Sequence, residues 1–177
     1  MKVVIVGQAP RSFEHPDDHE VWVINGPEFP PRWDRLFQLH GLEHITRKHK
    51  AGFLRKLGGI EPPQRLIMTG RPDDPANAEP YPLGPVVDDC GRRYLTNSFA
   101  LAVALAVHEG AERIMLDGLM IPQGTGQWDA GESWIGPCIE YHLGRAEALG
   151  IDVEVPAGCG LFRSSDFVYG FEGPGSV

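Results

Sequence analysis

The feature that most constrains the fold is the apolar run of residues 2–6, which ends directly at Gly7. Its β-branched residues favour a strand, and its unbroken hydrophobicity is typical of a parallel strand covered on both faces. Since parallel strands are joined by crossover connections that are usually helical, the run predicts the central strand of an α/β sheet.

Strands and helices alternate in the second half of the chain. Residues 113–117 and 151–155 are predicted as strands, and residues 99–109 and 135–149 as helices that cross between strands. This order gives consecutive βαβ units. The sequence therefore predicts an α/β fold, a single Rossmann-like domain over the whole chain with a mostly parallel sheet flanked by helices. Residues 157–177 are predicted as a loop-like tail docked on the core.

The first half is less regular. Short apolar stretches predict strands at residues 21–25, 35–40 and 65–69, and the spacing of apolar residues over 42–57 predicts a helix. Residues 71–85 are rich in Pro, Asp and Asn and show no periodicity, so they are predicted as a surface loop or as a lid over a site.

Charge and hydrophobicity limit the partners. A net charge of -8 repels nucleic acid unless basic residues gather on one face, so a small-molecule ligand is favoured and nucleic acid is left open only as an acceptor. No apolar run approaches the ~20 residues that span a bilayer. The N-terminal run is too short for a signal peptide, which predicts a cytoplasmic protein without a membrane partner. The composition is compatible with a monomer or with a homo-oligomer.

Cysteine and histidine spacing does not predict a metal centre. Cys90, Cys138 and Cys159 are widely spaced and form no C-x-x-C pair, so three reduced thiols are expected. His15 and His19 lie in a polar loop without an apolar scaffold, and we do not predict a metal site there.

Doubly wound sheets bind ligands at the carboxyl ends of their strands, near the point where strand order reverses. Residues that directly follow predicted strands are therefore the candidates for a site. They are residues 7–11, Asn25 and Gly26, His40, Thr69 and Gly70, residues 117–120 and residues 156–160.

The first of these is the turn Gly7-Gln8-Ala9-Pro10. A glycine at a strand end lets the backbone turn sharply and expose N–H groups to a ligand. The chain contains neither G-x-G-x-x-G nor a P-loop motif, so the turn is not a dinucleotide fingerprint. It is interpreted as a ligand contact, with a plain tight turn as the alternative.

Three other polar groups are candidates. His40 is a candidate because histidine is the residue type most often used as a general acid or base, and a capping or surface histidine is the alternative. Thr96-Asn97-Ser98 opens a buried helix, whose N–H groups attract anions even where the side chains only cap it. Asp117-Gly118 follows a strand, where it could hold a ribose hydroxyl or a metal or simply form a turn.

Several short motifs follow one another along the whole chain. They are residues 7–10 (GQAP), 22–25 (WVIN), 32–40 (RWDRLFQLH), 80–83 (PYPL), 94–100 (YLTNSFA), 117–118 (DG) and 140–141 (EY). Their order resembles that of a group of small bacteriophage-type proteins with a Rossmann-like fold. More distantly, the opening G-x-x-P and the strand ending in Asn are similar to bacterial sialyltransferases and to the motility-accessory-factor and hydroxymethylpterin-pyrophosphokinase-like group. Those proteins hold an activated nucleotide donor.

The resemblance implies that Gly7, Pro10 and Asn25 contact a nucleotide and that residues 96–98 lie near a phosphate. The expected function is a glycosyltransferase-like transferase that uses a nucleotide-activated donor, such as a nucleotide sugar, on phage nucleotides or DNA. In that mechanism His40 is the general base or acid, and Asn25 and Tyr81 orient the donor. The alternative is a non-catalytic nucleotide or nucleoside binder that sequesters its ligand.

Overall fold

The computed structural model describes residues 1–11, 14–26, 29–40, 52–121 and 135–162. The described residues form one seven-stranded sheet in which all neighbouring strands are parallel. Its strands are β1 (Lys2–Val6), β2 (Glu20–Ile24), β3 (Arg35–Phe37), β4 (Arg65–Met68), β5 (Ala78–Pro80), β6 (Arg113–Asp117) and β7 (Asp152–Glu154). The predicted α/β, Rossmann-like fold with a mostly parallel sheet is confirmed.

Strand order reverses once, beside β1. The order across the sheet is β5-β4-β3-β2-β1-β6-β7, so the chain adds strands outward from β1 on one side and then returns to the other side at β6. Val6 at the end of β1 lies opposite Asp117 at the end of β6. The crevice that such a reversal opens at the carboxyl ends of the strands is therefore next to Gly7 and Gly118.

Four helices lie within the described ranges, and three of them cover one face of the sheet. They are α1 (Gly52–Gly58), α2 (Leu83–Cys90), α3 (Ser98–His108) and α4 (Ile135–Ala148). Residues of α2, α3 and α4 share one core cluster with Val3 and Ile5, which point to the same face because side chains alternate along a strand. None of these helices is long and apolar enough to cross a membrane.

The opposite face of the sheet is covered more thinly. Val4 and Val6 form a small cluster there with Met115 and the ring of Trp33. Leu57, at the end of α1, joins a second cluster over β3 and β4. Burial on both faces explains why the β1 sequence is apolar at every position after Lys2.

Helix α3 is the innermost helix. Its alanines at 100, 102, 104 and 106 are fully buried, and their small side chains let the helix lie close to the sheet. Asn97 caps the helix, because its side chain accepts a hydrogen bond from the Ala100 N–H at 2.9 Å. The first turn of α3 lies at the carboxyl end of the sheet, beside the residues that follow β1, β2 and β6.

The amino-terminal edge of the sheet carries a charge cluster that stabilises the fold. Arg35 is 6% exposed, and its guanidinium lies over the Trp22 ring at 4.5 Å. It pairs with Glu20 at 3.0 Å and with Glu109 at 2.8 Å. These contacts join β2, β3 and the end of α3, at the edge opposite the crevice.

Most elements have the predicted positions, with differences where an element is very short. The segment 71–85, predicted as a loop or lid, contains β5 and the start of α2, so that prediction is wrong. β5 has 3 residues, one of which is a proline, and it lies at the sheet edge, so it carries no period-2 pattern. β3 ends at Phe37 and not at His40.

Two predictions fall partly outside the described residues. Of the helix predicted over 42–57, residues 42–51 are not described, and α1 covers Gly52–Gly58. Of the tail predicted over 157–177, residues 163–177 are not described.

Candidate functional site

A cavity of about 500 Å³ opens at the strand-order reversal, between the carboxyl ends of β1, β2 and β6 and the first turn of α3. Cavities of this size accommodate ligands as large as a nucleoside. The predicted site residues that line it are Gly7, Gln8, Ala9, Asn25, His40, Thr96, Asn97, Ser98 and Gly118. The structure thus brings together residues from five separate parts of the sequence.

Part of the cavity lining is apolar, and most of this apolar lining was not predicted from the sequence. It consists of Ile24, Phe99, Leu119, Met120, Ile121 and Ile135. Met120 is 61% exposed, which is unusual for a large apolar side chain and places it at the cavity mouth. A flat or apolar ligand group would bury this surface and the Met120 side chain together.

The Gly7 and Gly118 turns are in direct backbone contact. The Gly7 N–H donates to the Asp117 carbonyl at 2.8 Å, and the Ala9 N–H donates to the Gly118 carbonyl at 2.8 Å. A Cβ atom on Gly7 would lie 2.4 Å from the Gly118 oxygen and 2.7 Å from Phe99 Cζ, so only glycine fits. The turn was predicted to expose its N–H groups, but those of residues 7 and 9 are used by β6.

Asn25 connects the ends of three elements. Its Nδ2 lies 2.7 Å from Ser98 Oγ, at the start of α3, and 3.2 Å from His40 Nε2, beyond β3. Its backbone N–H donates to the Phe37 carbonyl at 2.9 Å. A single amide therefore fixes the relative positions of the polar groups in the cavity.

Asn25 is also held in a costly state. Its φ of 47° is in the left-handed region, which asparagine tolerates better than most residues with a Cβ but less well than glycine. Its Oδ1 is buried and has no hydrogen-bond partner among the described residues, at a further cost of about 1–3 kcal/mol. Local strain of this kind is concentrated at functional sites.

The Gln8 side chain fits at the cavity because Gly26, after the neighbouring strand β2, has no side chain. Its Nε2 donates to the Ile24 carbonyl at 3.3 Å. The carboxamide occupies the space beside Gly26, where a Cβ would lie 1.9–2.1 Å from its atoms. The Gly26 position therefore keeps the Gln8 side chain at the cavity.

The first turn of α3 is capped, as one interpretation of Thr96-Asn97-Ser98 predicted. The same residues line the cavity, so the helix N-terminus faces any ligand there. Its partial positive charge would stabilise an anionic group. Phosphate binding at residues 96–98 stays a prediction.

A buried hydrogen-bond network from α4 holds the segment that leads into α3, and it was not predicted from the sequence. The Cys138 thiol donates to the Tyr94 carbonyl at 3.1 Å and accepts from the Thr96 N–H at 3.4 Å. His142 is 1% exposed, and its Nε2–H donates to the same Tyr94 carbonyl at 2.6 Å. Cys90, Cys138 and Cys159 are all free, as predicted.

Protonation of His142 should destabilise the protein. Burial lowers the pKa of His142 below the usual value of 6.5, so the unfolded chain binds its proton first as the pH falls. The stability contributed by neutral His142 is present above about pH 6.5 and is lost between that pH and the folded-state pKa. Each unit of pKa difference corresponds to about 1.4 kcal/mol.

Urea unfolding at pH 7.5 and pH 5.5 measures this effect. The His142→Gln variant keeps a donor for the Tyr94 carbonyl but does not titrate, so it should lose less stability between the two pH values than the wild-type protein. Equal losses in both proteins would contradict the assignment.

Three predicted ligand-binding residues do not line the cavity. Tyr81 is 8% exposed, its hydroxyl donates to the Leu101 carbonyl at 2.9 Å, and burial raises its pKa, so it braces α3. Asp117 is fully buried, and its Oδ2 lies 3.0 Å from His15 Nε2. Strand alternation places it on the Met115 face of the sheet, away from α3. Pro10 lines a neighbouring depression.

No family model, curated protein or solved structure matches this chain. The chemistry of the cavity therefore decides which functions are supported.

Proposed function

We propose that this chain binds a nucleoside or nucleotide in the cavity at the β1–β6 reversal. The observation that carries the proposal is the position of Asn25, whose backbone φ is positive and whose side-chain amide lies between Ser98 and His40. Amide and hydroxyl groups of this kind form hydrogen bonds with base edges and ribose hydroxyls. The apolar residues that also line the cavity can pack against the face of a base.

The pattern of polar and apolar groups supports this ligand class over a fully apolar one. Gln8, Asn25, Asn97 and Ser98 contribute amides and a hydroxyl to the cavity lining. Each of these side chains already has a protein partner, so a ligand without donors and acceptors would leave only their remaining hydrogen-bonding capacity unfilled after water is expelled. A small planar molecule with polar edges and an apolar face can contact both the polar and the apolar lining residues.

A binding panel tests the proposal. Calorimetry and thermal shift with the four common nucleosides, their 5′-monophosphates and nucleotide sugars should reveal at least one ligand. Met120→Glu, which puts a carboxylate at the cavity mouth, should weaken binding of an anionic member about tenfold or more. Leu149→Glu is the matched control, because Leu149 is also 61% exposed and lies at the end of α4. Equal weakening by both variants would place the ligand elsewhere.

Transfer from a nucleotide-activated donor is the second candidate function, favoured by the place of His40. The His40 side chain is at the cavity mouth with its Nε2 beside the Asn25 amide. In such a reaction an acceptor oxygen attacks the transferred group and gives its proton to the imidazole, while the bond between that group and the donor phosphate breaks.

Product release from the nucleotide sugars measures this activity. His40→Gln should keep donor affinity and reduce turnover about 10²–10⁴-fold, the usual contribution of general acid–base catalysis. His108→Gln is the control, since His108 pairs with Asp89 at the far end of α3. Undiminished turnover in His40→Gln would remove His40 from the mechanism, and ligand binding without any turnover would leave the non-catalytic binder.

A further inference from the structure

A second depression adjoins the cavity on the other side of the Gly7 turn. Its volume is about 360 Å³, and it is lined by Gly7, Gln8, Ala9, Pro10 and Arg11. The first three of these residues also line the larger cavity, so the two spaces share the turn as a common wall. A ligand held in the larger cavity could therefore extend over the turn into the second space.

Most of the backbone donors of the Gly7–Pro10 turn are not available to an anion there. The N–H groups of Gly7 and Ala9 donate to the Asp117 and Gly118 carbonyls, and Pro10 has no N–H. The nest of N–H groups that commonly surrounds a phosphate is therefore not formed by these residues. A positively charged side chain has to supply the attraction.

Arg11 is that side chain. It is exposed, and the described residues include no ion-pair partner for it. It is the only lysine or arginine among the described residues that line either space. A guanidinium binds a phosphate through two parallel hydrogen bonds, and it keeps its charge at any physiological pH.

The charge of the whole chain makes this local cation more important. A net charge of -8 opposes the approach of an anion, so a phosphate needs a nearby positive group to bind well. The first turn of α3 also attracts anions, but it carries only a partial charge, and one of its N–H groups, that of Ala100, is already bonded to the Asn97 side chain.

We propose that Arg11 binds the phosphate of a nucleotide whose nucleoside part occupies the larger cavity, so that the site selects phosphorylated ligands over nucleosides. This inference rests on the proposed nucleotide-binding function and names the part of the ligand that the larger cavity does not hold. It places the phosphate over the Gly7 turn and not at residues 96–98.

Calorimetry with the four nucleosides and their 5′-monophosphates tests whether Arg11 binds the phosphate. In the wild-type protein the best monophosphate should bind about tenfold or more tightly than its nucleoside. Arg11→Ala should remove this preference and leave nucleoside affinity unchanged, and Arg11→Lys should keep part of it because it retains a point charge. Arg92→Ala is the control for net charge, since Arg92 is exposed and lines neither space.

The outcomes separate the two proposals. A preference for the monophosphate that survives in Arg11→Ala overturns the role of Arg11, as does an equal loss in Arg92→Ala. Nucleosides and monophosphates that bind the wild-type protein equally overturn the phosphate selection and leave nucleoside binding standing. No binding by any of the eight compounds or by the nucleotide sugars overturns both.

Discussion

Replacement of Gly7 by alanine is expected to destabilise the protein by about 1–3 kcal/mol or more and to abolish ligand binding. The added Cβ would lie 2.4 Å from the Gly118 carbonyl oxygen. Because that neighbour is backbone, it cannot move aside by a simple rotamer change. The β1 and β6 ends would have to separate, which breaks the bonds from the Gly7 and Ala9 N–H groups and changes the floor of the cavity.

Gly144→Ala is the matched control for this substitution. Gly144 lies inside α4, and a Cβ there would meet nothing within 4 Å. Since alanine is the better helix former, this variant should gain about 0.5–1 kcal/mol. Urea unfolding and the binding panel measure both variants. A Gly7→Ala protein with wild-type stability and affinity would show that the close backbone contact is not required.

Asn25→Gly should separate binding from stability. Glycine adopts a φ of 47° without strain, and the substitution removes a buried oxygen that has no partner among the described residues. These gains offset the lost contacts and the greater freedom of the unfolded chain, so the free energy of unfolding should stay within about 1 kcal/mol of wild type. Ligand affinity should fall about tenfold or more, because the amide is gone.

Asn77→Gly is expected to give the opposite result to Asn25→Gly, a loss of stability without a loss of ligand affinity. The Asn77 Nδ2 donates to the Leu57 and Ile60 carbonyls, both at 2.8 Å, far from the cavity. Its loss should reduce stability by about 1–2 kcal/mol and leave affinity unchanged. If Asn25→Gly instead lowered stability as Asn77→Gly does and kept full affinity, Asn25 would be a structural residue only.

The sequence predicted the fold well where a strand or helix carries its own pattern. Residues 3–6 and 114–116 are apolar on both faces because both strands lie inside a covered sheet, and the predicted bounds 2–6 and 113–117 match β1 and β6. β5 has no such pattern, since an edge strand of 3 residues buries little. Its position depends on pairing with β4, which residues far apart in the sequence determine.

The same distinction applies to the site. Parallel strands end at one edge, so the strand-end rule found Gly7, Asn25 and Gly118, which line the cavity. It could not tell which face of the sheet a side chain takes, and Asp117 lies on the other one. Nor could local pattern show that the Gly7 N–H would be bonded to β6, because strand order sets that contact.

The most direct test of the central claim is an amide NMR titration with the eight nucleosides and monophosphates. If the cavity at the β1–β6 reversal is the ligand site, the largest shift changes on binding should fall on the amides of Gln8, Asn25, Ser98 and Gly118. Amides beside α2, such as those of Leu83, Val87 and Leu95, line a separate depression and should change little. Changes centred on that depression, or none with any of the eight compounds, would contradict the assignment of the site.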